Sequence, residues 1–266
     1  MVQRKFNLKM MEVKTPIANL RKLPDQNSNL ETQLLFGEEI KIISEEKKDW
    51  LLCKSVKDNY EGWIKKNNIG KYLHKKNYKV SALTTLIFNE PNIKSNMSTY
   101  LHLNSKLHIL KSENDWSIFY YNQNKAFIFN KHISKIISNS KSENSWVETA
   151  KKFLNTVYLW GGKSALGLDC SGLVQLCLEH HDIPFPRNTE DQFHSSFLKS
   201  INKNEINNGT LILWRGHVAI AVNKYEIIHA NAYHMQVTIE SLREAKKRIE
   251  PLYGKIIGYK KLIKEN

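Results

Sequence analysis

Gly167-Leu168-Asp169-Cys170-Ser171-Gly172-Leu173-Val174-Gln175 puts a cysteine at the junction of a glycine-containing loop and an apolar run. Leu173, Val174, Leu176, Cys177 and Leu178 recur at helical spacing, so the run predicts a helix with Asp169 as its N-cap and Cys170 at its start. Unpaired N–H groups and the positive end of the macrodipole favour a thiolate there. They are expected to bring a free-cysteine pKa of ~8.5 down into the range ~3.5–7.5. This stretch therefore predicts a reactive thiol.

Working outward, Tyr158-Leu159-Trp160-Gly161-Gly162 reads as a loop before that helix, and Pro184-Phe185-Pro186-Arg187 breaks the helical register after it. Upstream, Ser145-Trp146-Val147-Glu148 is a capping box opening an amphipathic helix through about Thr156. Downstream, strands are predicted over 210–214, 217–222 and 225–229, then a helix near 239–249 and a strand near 256–260. Residues 145–266 thus read as an α+β unit.

The preceding half is of another kind. Residues 11 to about 138 are short β-runs between polar turns, the signature of small barrels. Asn19-Leu20-Arg21, Gln33 to Glu38, Asp49-Trp50-Leu51-Leu52 and Tyr60-Glu61-Gly62-Trp63-Ile64 form one set of runs. Tyr100 to Leu103, Lys106 to Leu110 and Asn114-Asp115-Trp116-Ser117-Ile118 repeat it, with Ala126-Phe127-Ile128 in place of the Gly-Trp strand. The expected domains are 11–72, 77–138 and 145–266, with the polar stretch Ser138 to Asn144 as linker. Trp50, Trp63 and Trp116 read as barrel-core aromatics.

Of the 266 residues, 41% are hydrophobic, enough for real cores. The formal net charge of +14 comes from lysines scattered among asparagines, a solvated surface rather than a basic block. No zinc-finger or RNA-recognition pattern accompanies it, so nucleic acid is not the expected ligand. Cys53, Cys170 and Cys177 form neither a disulfide framework nor a metal knuckle. The basic N-terminus leads into no apolar stretch, and no later run is long enough to span a bilayer. The expectation is a cytoplasmic protein without membrane insertion, of open oligomeric state.

A cysteine nucleophile needs a base, and the base needs a group that orients it. His217 opens one predicted strand and His229 closes the next, so a hairpin would bring them together. Taken together, YLWGG, GLDCSGLVQ, PRNTEDQ, GHVAIAV and IIHANAYHMQV resemble the NlpC-type cysteine peptidases, a compact papain-like family acting on cell-wall peptides. The N-terminal half resembles tandem bacterial SH3-like domains, the second degenerate. The whole layout is similar to γ-D-glutamyl-L-diamino-acid endopeptidases of the dipeptidyl-peptidase VI type.

That resemblance implies Cys170 as nucleophile, His217 as general base and then acid, and His229 as the residue orienting His217. It implies Tyr158 beside the oxyanion, with Asp169 and Ser171 holding the free amino group of the peptide. It also implies that a tyrosine and an acidic residue of the first barrel reach that amine, for which Tyr60 and Glu31, in preference to Glu38, are the candidates. The implied reaction, with no cofactor, cuts L-Ala-γ-D-Glu-L-diamino acid after D-Glu in murein-peptide recycling. An envelope hydrolase acting on intact stem peptides and a non-catalytic wall-binding module are the alternatives. One departure is Asn208-Gly209-Thr210-Leu211 where the family has a Pro-Gly-Asp-Leu turn.

Several residues carry plainer expectations. Cys177 and Cys53 are read as core. His180 and His181, being adjacent on a helix, diverge by about 100° and do not chelate together. His234 is read as structural or exposed. For Arg187 the two readings are a substrate carboxylate and anchorage of its own loop.

Overall fold

The computed structural model describes residues 9–47, 49–136 and 145–263, and the proposed linker at 138–144 lies outside them. The chain forms two compact units, divided at residue 137. Among the described residues no helix is long and apolar enough to cross a membrane.

The first unit holds two β-rich halves. In the first, seven strands from Met10–Val13 to Ile69–Lys71 make one sheet, in which Trp50–Ser55 pairs with Glu61–Lys65. Alternating side chains such as Ala18, Leu20, Leu51, Cys53 and Ile64 fill its core. In the second, Val80, Ile87, Leu101, Phe119, Ala126 and Ile128 do the same. The halves are joined through the turn Phe36-Gly37: Phe36 packs in the second core, and its carbonyl accepts from the Lys106 N–H at 2.7 Å. Gly37 has φ +76°, and a Cβ there would lie 2.1 Å from the Lys106 carbonyl oxygen. Only glycine fits that close approach. Of the three tryptophans read as core, Trp63 is buried, while Trp50 and Trp116 are half-buried. Trp116 packs edge-on to Phe88 and Phe129 at 5.4 and 5.9 Å.

The second unit is a six-stranded antiparallel sheet with helices. The strand order is Leu198–Ser200, Gly258–Leu262, Leu211–Trp214, His217–Ala221, Glu226–Asn231, Gln236–Ser241. The helix Cys170–His180 contacts the two strands that carry the histidines. Helix Leu242–Tyr253 contributes Ala245 and Ile249 to a core with Trp214, Ala219, Ala221 and Ile227. The anticipated helix near 239–249 therefore starts later. Residues 236–241, Gln-Val-Thr-Ile-Glu-Ser, alternate as a β-strand should and pair with Glu226–Asn231. The helix predicted to run to about Thr156 ends at Lys151. At the atypical turn before the strand Leu211–Trp214, the Thr210 N–H donates to the Asn207 carbonyl at 3.0 Å. Gly209 supplies φ +81°, so the turn closes without proline or aspartate.

Candidate active site

Cys170 opens its helix, and Asp169 caps it by accepting from the Gly172 N–H at 2.7 Å through Oδ1. The other carboxylate oxygen accepts from the Gly161 N–H at 2.9 Å. Arg187 then grips both oxygens, Nη1 to Oδ1 at 2.9 Å and Nη2 to Oδ2 at 2.6 Å. It also donates to Ser171 Oγ at 2.8 Å. Arg187 is 3% exposed and Asp169 7%, so this is a buried bidentate pair. Of the two readings of Arg187, the observed contacts are internal ones: its guanidinium is bound to Asp169 and Ser171. Asp169 in turn has its charge compensated from within the protein. Glycine is needed beside it: a Cβ on Gly172 would lie 2.3 Å from the Gly162 carbonyl oxygen.

The thiol differs from the expectation. Burial, and after it the Asp169 carboxylate, push Cys170 up to about 11, against hydrogen bonds from the Val218 and Ser171 N–H groups and the Arg187 charge. The helix start does supply an N–H. Desolvation of a thiolate in this enclosed position outweighs it. Burial thus opposes the thiolate that the helix start favours.

Val218, whose N–H reaches the thiol, directly follows His217. A two-residue turn, Arg215-Gly216 with Gly216 at φ +79°, makes His217 the first residue of its strand, paired with Trp214. Strand alternation puts His217 on the face of Ala219 and Ala221, and His229 on that of Ile227. Those apolar residues share one core cluster with helix Leu242–Tyr253. On that face His217 Nε2 and His229 Nδ1 stand 2.8 Å apart. Burial, then His229 and Arg248, bring His217 down to about 3, with Glu240 acting the other way. Burial likewise lowers His229. Trp214 and Tyr253 lie against the His217 ring, at 5.8 and 5.9 Å between centroids.

Tyr158 is half-buried and held by its N–H on the Met235 carbonyl at 2.8 Å and by a bridge to Leu168. Burial, then the neighbouring Cys170 and Asp169, raise its phenol. It stays an O–H donor beside the thiol. Ser171 is buried under Arg187. In the first barrel the Tyr60 hydroxyl donates to Glu31 Oε2 at 3.1 Å. Glu38 instead pairs with Lys57 at 2.9 Å. A carboxylate and a phenol are thus brought together, a combination that suits an ammonium group.

Three residues of this surround were not singled out in the sequence. Glu240 Oε1 lies 2.7 Å from His229 Nε2, Arg248 pairs with the same oxygen, and Tyr253 packs on His217. The alternation over 236–241 was the signal for Glu240: it pairs with Ile227 while Thr238 pairs with His229, so it sits diagonally from His229 on the same face. Among the described residues no group of three or more His, Cys, Asp or Glu is placed to hold a metal ion.

Both parts of the chain have known relatives. Residues 155–249 match the NlpC/P60 family, and residues 20–69 match the bacterial dipeptidyl-peptidase Sh3 domain. A dipeptidyl-peptidase 6 of Lysinibacillus sphaericus is 26% identical, over 89% of this chain and 92% of that protein. A γ-D-glutamyl-L-lysine dipeptidyl-peptidase of Bacillus cereus is 25% identical, over 80% of this chain and 71% of that one. The crystal structure of an NlpC/P60 family protein from Bacillus cereus superposes with a TM-score of 0.82 at 19% identity, covering 96% of this chain and all of that one. The fold is accordingly the papain-like NlpC/P60 α+β domain preceded by SH3-like barrels.

Proposed function

We propose that this chain, a cysteine peptidase with an NlpC/P60 domain behind a bacterial SH3 domain, cleaves the γ-D-Glu–L-diamino acid bond of murein peptides that begin with a free L-Ala. The observation that carries the reading is the 2.8 Å contact between His217 and His229, one residue from the Val218 N–H on the Cys170 thiol. Cys170 Sγ attacks the γ-carbonyl of D-Glu as the free nitrogen of His217 takes the thiol proton. The oxyanion is met by the Cys170 backbone N–H at the helix start and by the Tyr158 hydroxyl. His217 then protonates the departing amine of the diamino acid. Water hydrolyses the thioester by the reverse route, releasing L-Ala-D-Glu and free Cys170.

Two features support the substrate. Relatives covering most of the chain bear the names dipeptidyl-peptidase 6 and γ-D-glutamyl-L-lysine dipeptidyl-peptidase. The Tyr60–Glu31 pair of the first unit offers a carboxylate and a phenol, a combination that suits an ammonium group. The free thiols Cys53, Cys170 and Cys177 favour the cytoplasm as the compartment, where such peptides would be recycled. Incubation with L-Ala-γ-D-Glu-meso-diaminopimelate should release L-Ala-D-Glu, and Cys170→Ala should abolish release. Equal cleavage of the N-acetylated peptide would refute the amine requirement, and recovery of the protein in the envelope fraction would refute the compartment.

A further inference from the structure

We propose that Glu240 is a positioning residue that sets the tautomers of both His229 and His217, leaving His217 Nδ1 unprotonated as the base for Cys170. A carboxylate can only accept, so the 2.7 Å contact with Glu240 Oε1 places the proton of His229 on Nε2. A neutral imidazole carries one N–H, which makes His229 Nδ1 an acceptor. The partner at 2.8 Å is His217 Nε2, which must therefore donate. The remaining nitrogen of His217 is then the one with a lone pair. The reversed chain would protonate Nδ1 and leave Cys170 without a base.

The premise that both rings are neutral follows from burial, which depresses each histidine. Glu240 is ionised: burial opposes its charge, but hydrogen bonds from His229 and Arg248 bring it to about 2. Arg248 donates to the same Oε1 and packs over the Tyr233 ring at 4.3 Å, so it holds the carboxylate to His229. His234 Nδ1 lies 3.9 Å from that oxygen, too far for a hydrogen bond. The groups facing Glu240 from the neighbouring elements are thus His229 on the paired strand, Arg248 on the helix and His234 in the turn.

The inference rests on His217 serving Cys170 as base. It is tested first without substrate, by nitrogen-15 NMR of the wild-type protein labelled at histidine, at neutral pH. The expected spectrum has His217 and His229 both protonated at Nε2 and bare at Nδ1; a His217 protonated at Nδ1 overturns the proposal. Glu240→Ala should give a mixture of tautomers at His217 and lower kcat/KM by ~10²-fold, the upper end for loss of a partner that orients a functional histidine. In Glu240→Gln the amide oxygen is kept towards His229 by Arg248, so the tautomers should persist and activity should stay within ~10-fold of wild type. Unchanged His217 tautomer and kcat/KM in Glu240→Ala would overturn the inference; if that variant does not fold, the wild-type and Glu240→Gln spectra decide. The expected wild-type spectrum in a protein that turns over no murein peptide would count against the substrate reading and leave the tautomer assignment standing.

Discussion

Alkylation of Cys170 by iodoacetamide, followed across pH without substrate, separates a preformed thiolate–imidazolium pair from a neutral pair. With the thiol pushed up to about 11, its thiolate fraction at pH 7 is ~10⁻⁴, against ~3% for a free cysteine of pKa ~8.5. That deficit of ~300-fold is partly offset, because a thiolate of higher pKa is more nucleophilic, by ~10-fold for this difference. Net alkylation at pH 7 should therefore be ~30-fold slower than for free cysteine, with a rate that climbs tenfold per pH unit from pH 6 to 9. Peptide mapping assigns the label. Cys53 and Cys177 do not compete, since both are fully buried and burial pushes Cys53 up to about 12. His217→Ala should leave the thiol titration near its wild-type position, because a neutral imidazole lends it no charge. A rate that is flat between pH 5 and 8, or an inflection below pH 7 that His217→Ala removes, would refute the neutral-pair reading and restore the acidic thiol.

Turnover should obey the same logic: with His217 at about 3 and Cys170 at about 11, neither group limits kcat/KM between pH 5 and 9. Any basic limb near pH ~8 then reports the substrate's own α-amine, and should vanish if amine recognition is wrong. Asp169→Asn leaves Arg187 buried without its carboxylate and should cost about 3–5 kcal/mol by urea denaturation, while Asp169→Asn/Arg187→Met should recover much of it; additive losses would count against the pair. In the second barrel, burial lowers His102 to about 4, so the folded state binds its proton less readily than the unfolded chain does. Its contribution is complete above pH ~6.5 and is lost as pH falls towards 4, about 2 kcal/mol between pH 6.5 and 5. Hydrogen-exchange protection of Trp116–Tyr121 should show this loss, and His102→Gln should flatten it. Tyr158→Phe should lower kcat by ~10²-fold with little change in KM, and a change confined to KM would assign the hydroxyl to substrate binding instead.

The residues placed at the reacting atoms were legible because each stands at the end of an element. Cys170 begins a helix whose apolar spacing is plain, and His217 begins a strand after a tight glycine turn. Caps and turns are local, and local signals survive in sequence. Glu240, Arg248 and Arg187 reach the site only through sheet register, helix packing and a loop that folds back on Asp169. The alternation over 236–241 puts Glu240 on a strand, but nothing near these three residues in the chain names their partners. The same division explains the thiol: the helix start that favours a thiolate is written in Asp169-Cys170-Ser171, whereas the burial that opposes it exists only once the folded domain encloses the cysteine. Cys170 and its base are therefore encoded by local pattern, and their protonation states by long-range packing. Substitutions at Glu240 or Arg248 should accordingly shift how the site titrates while the helix that carries Cys170 stays folded.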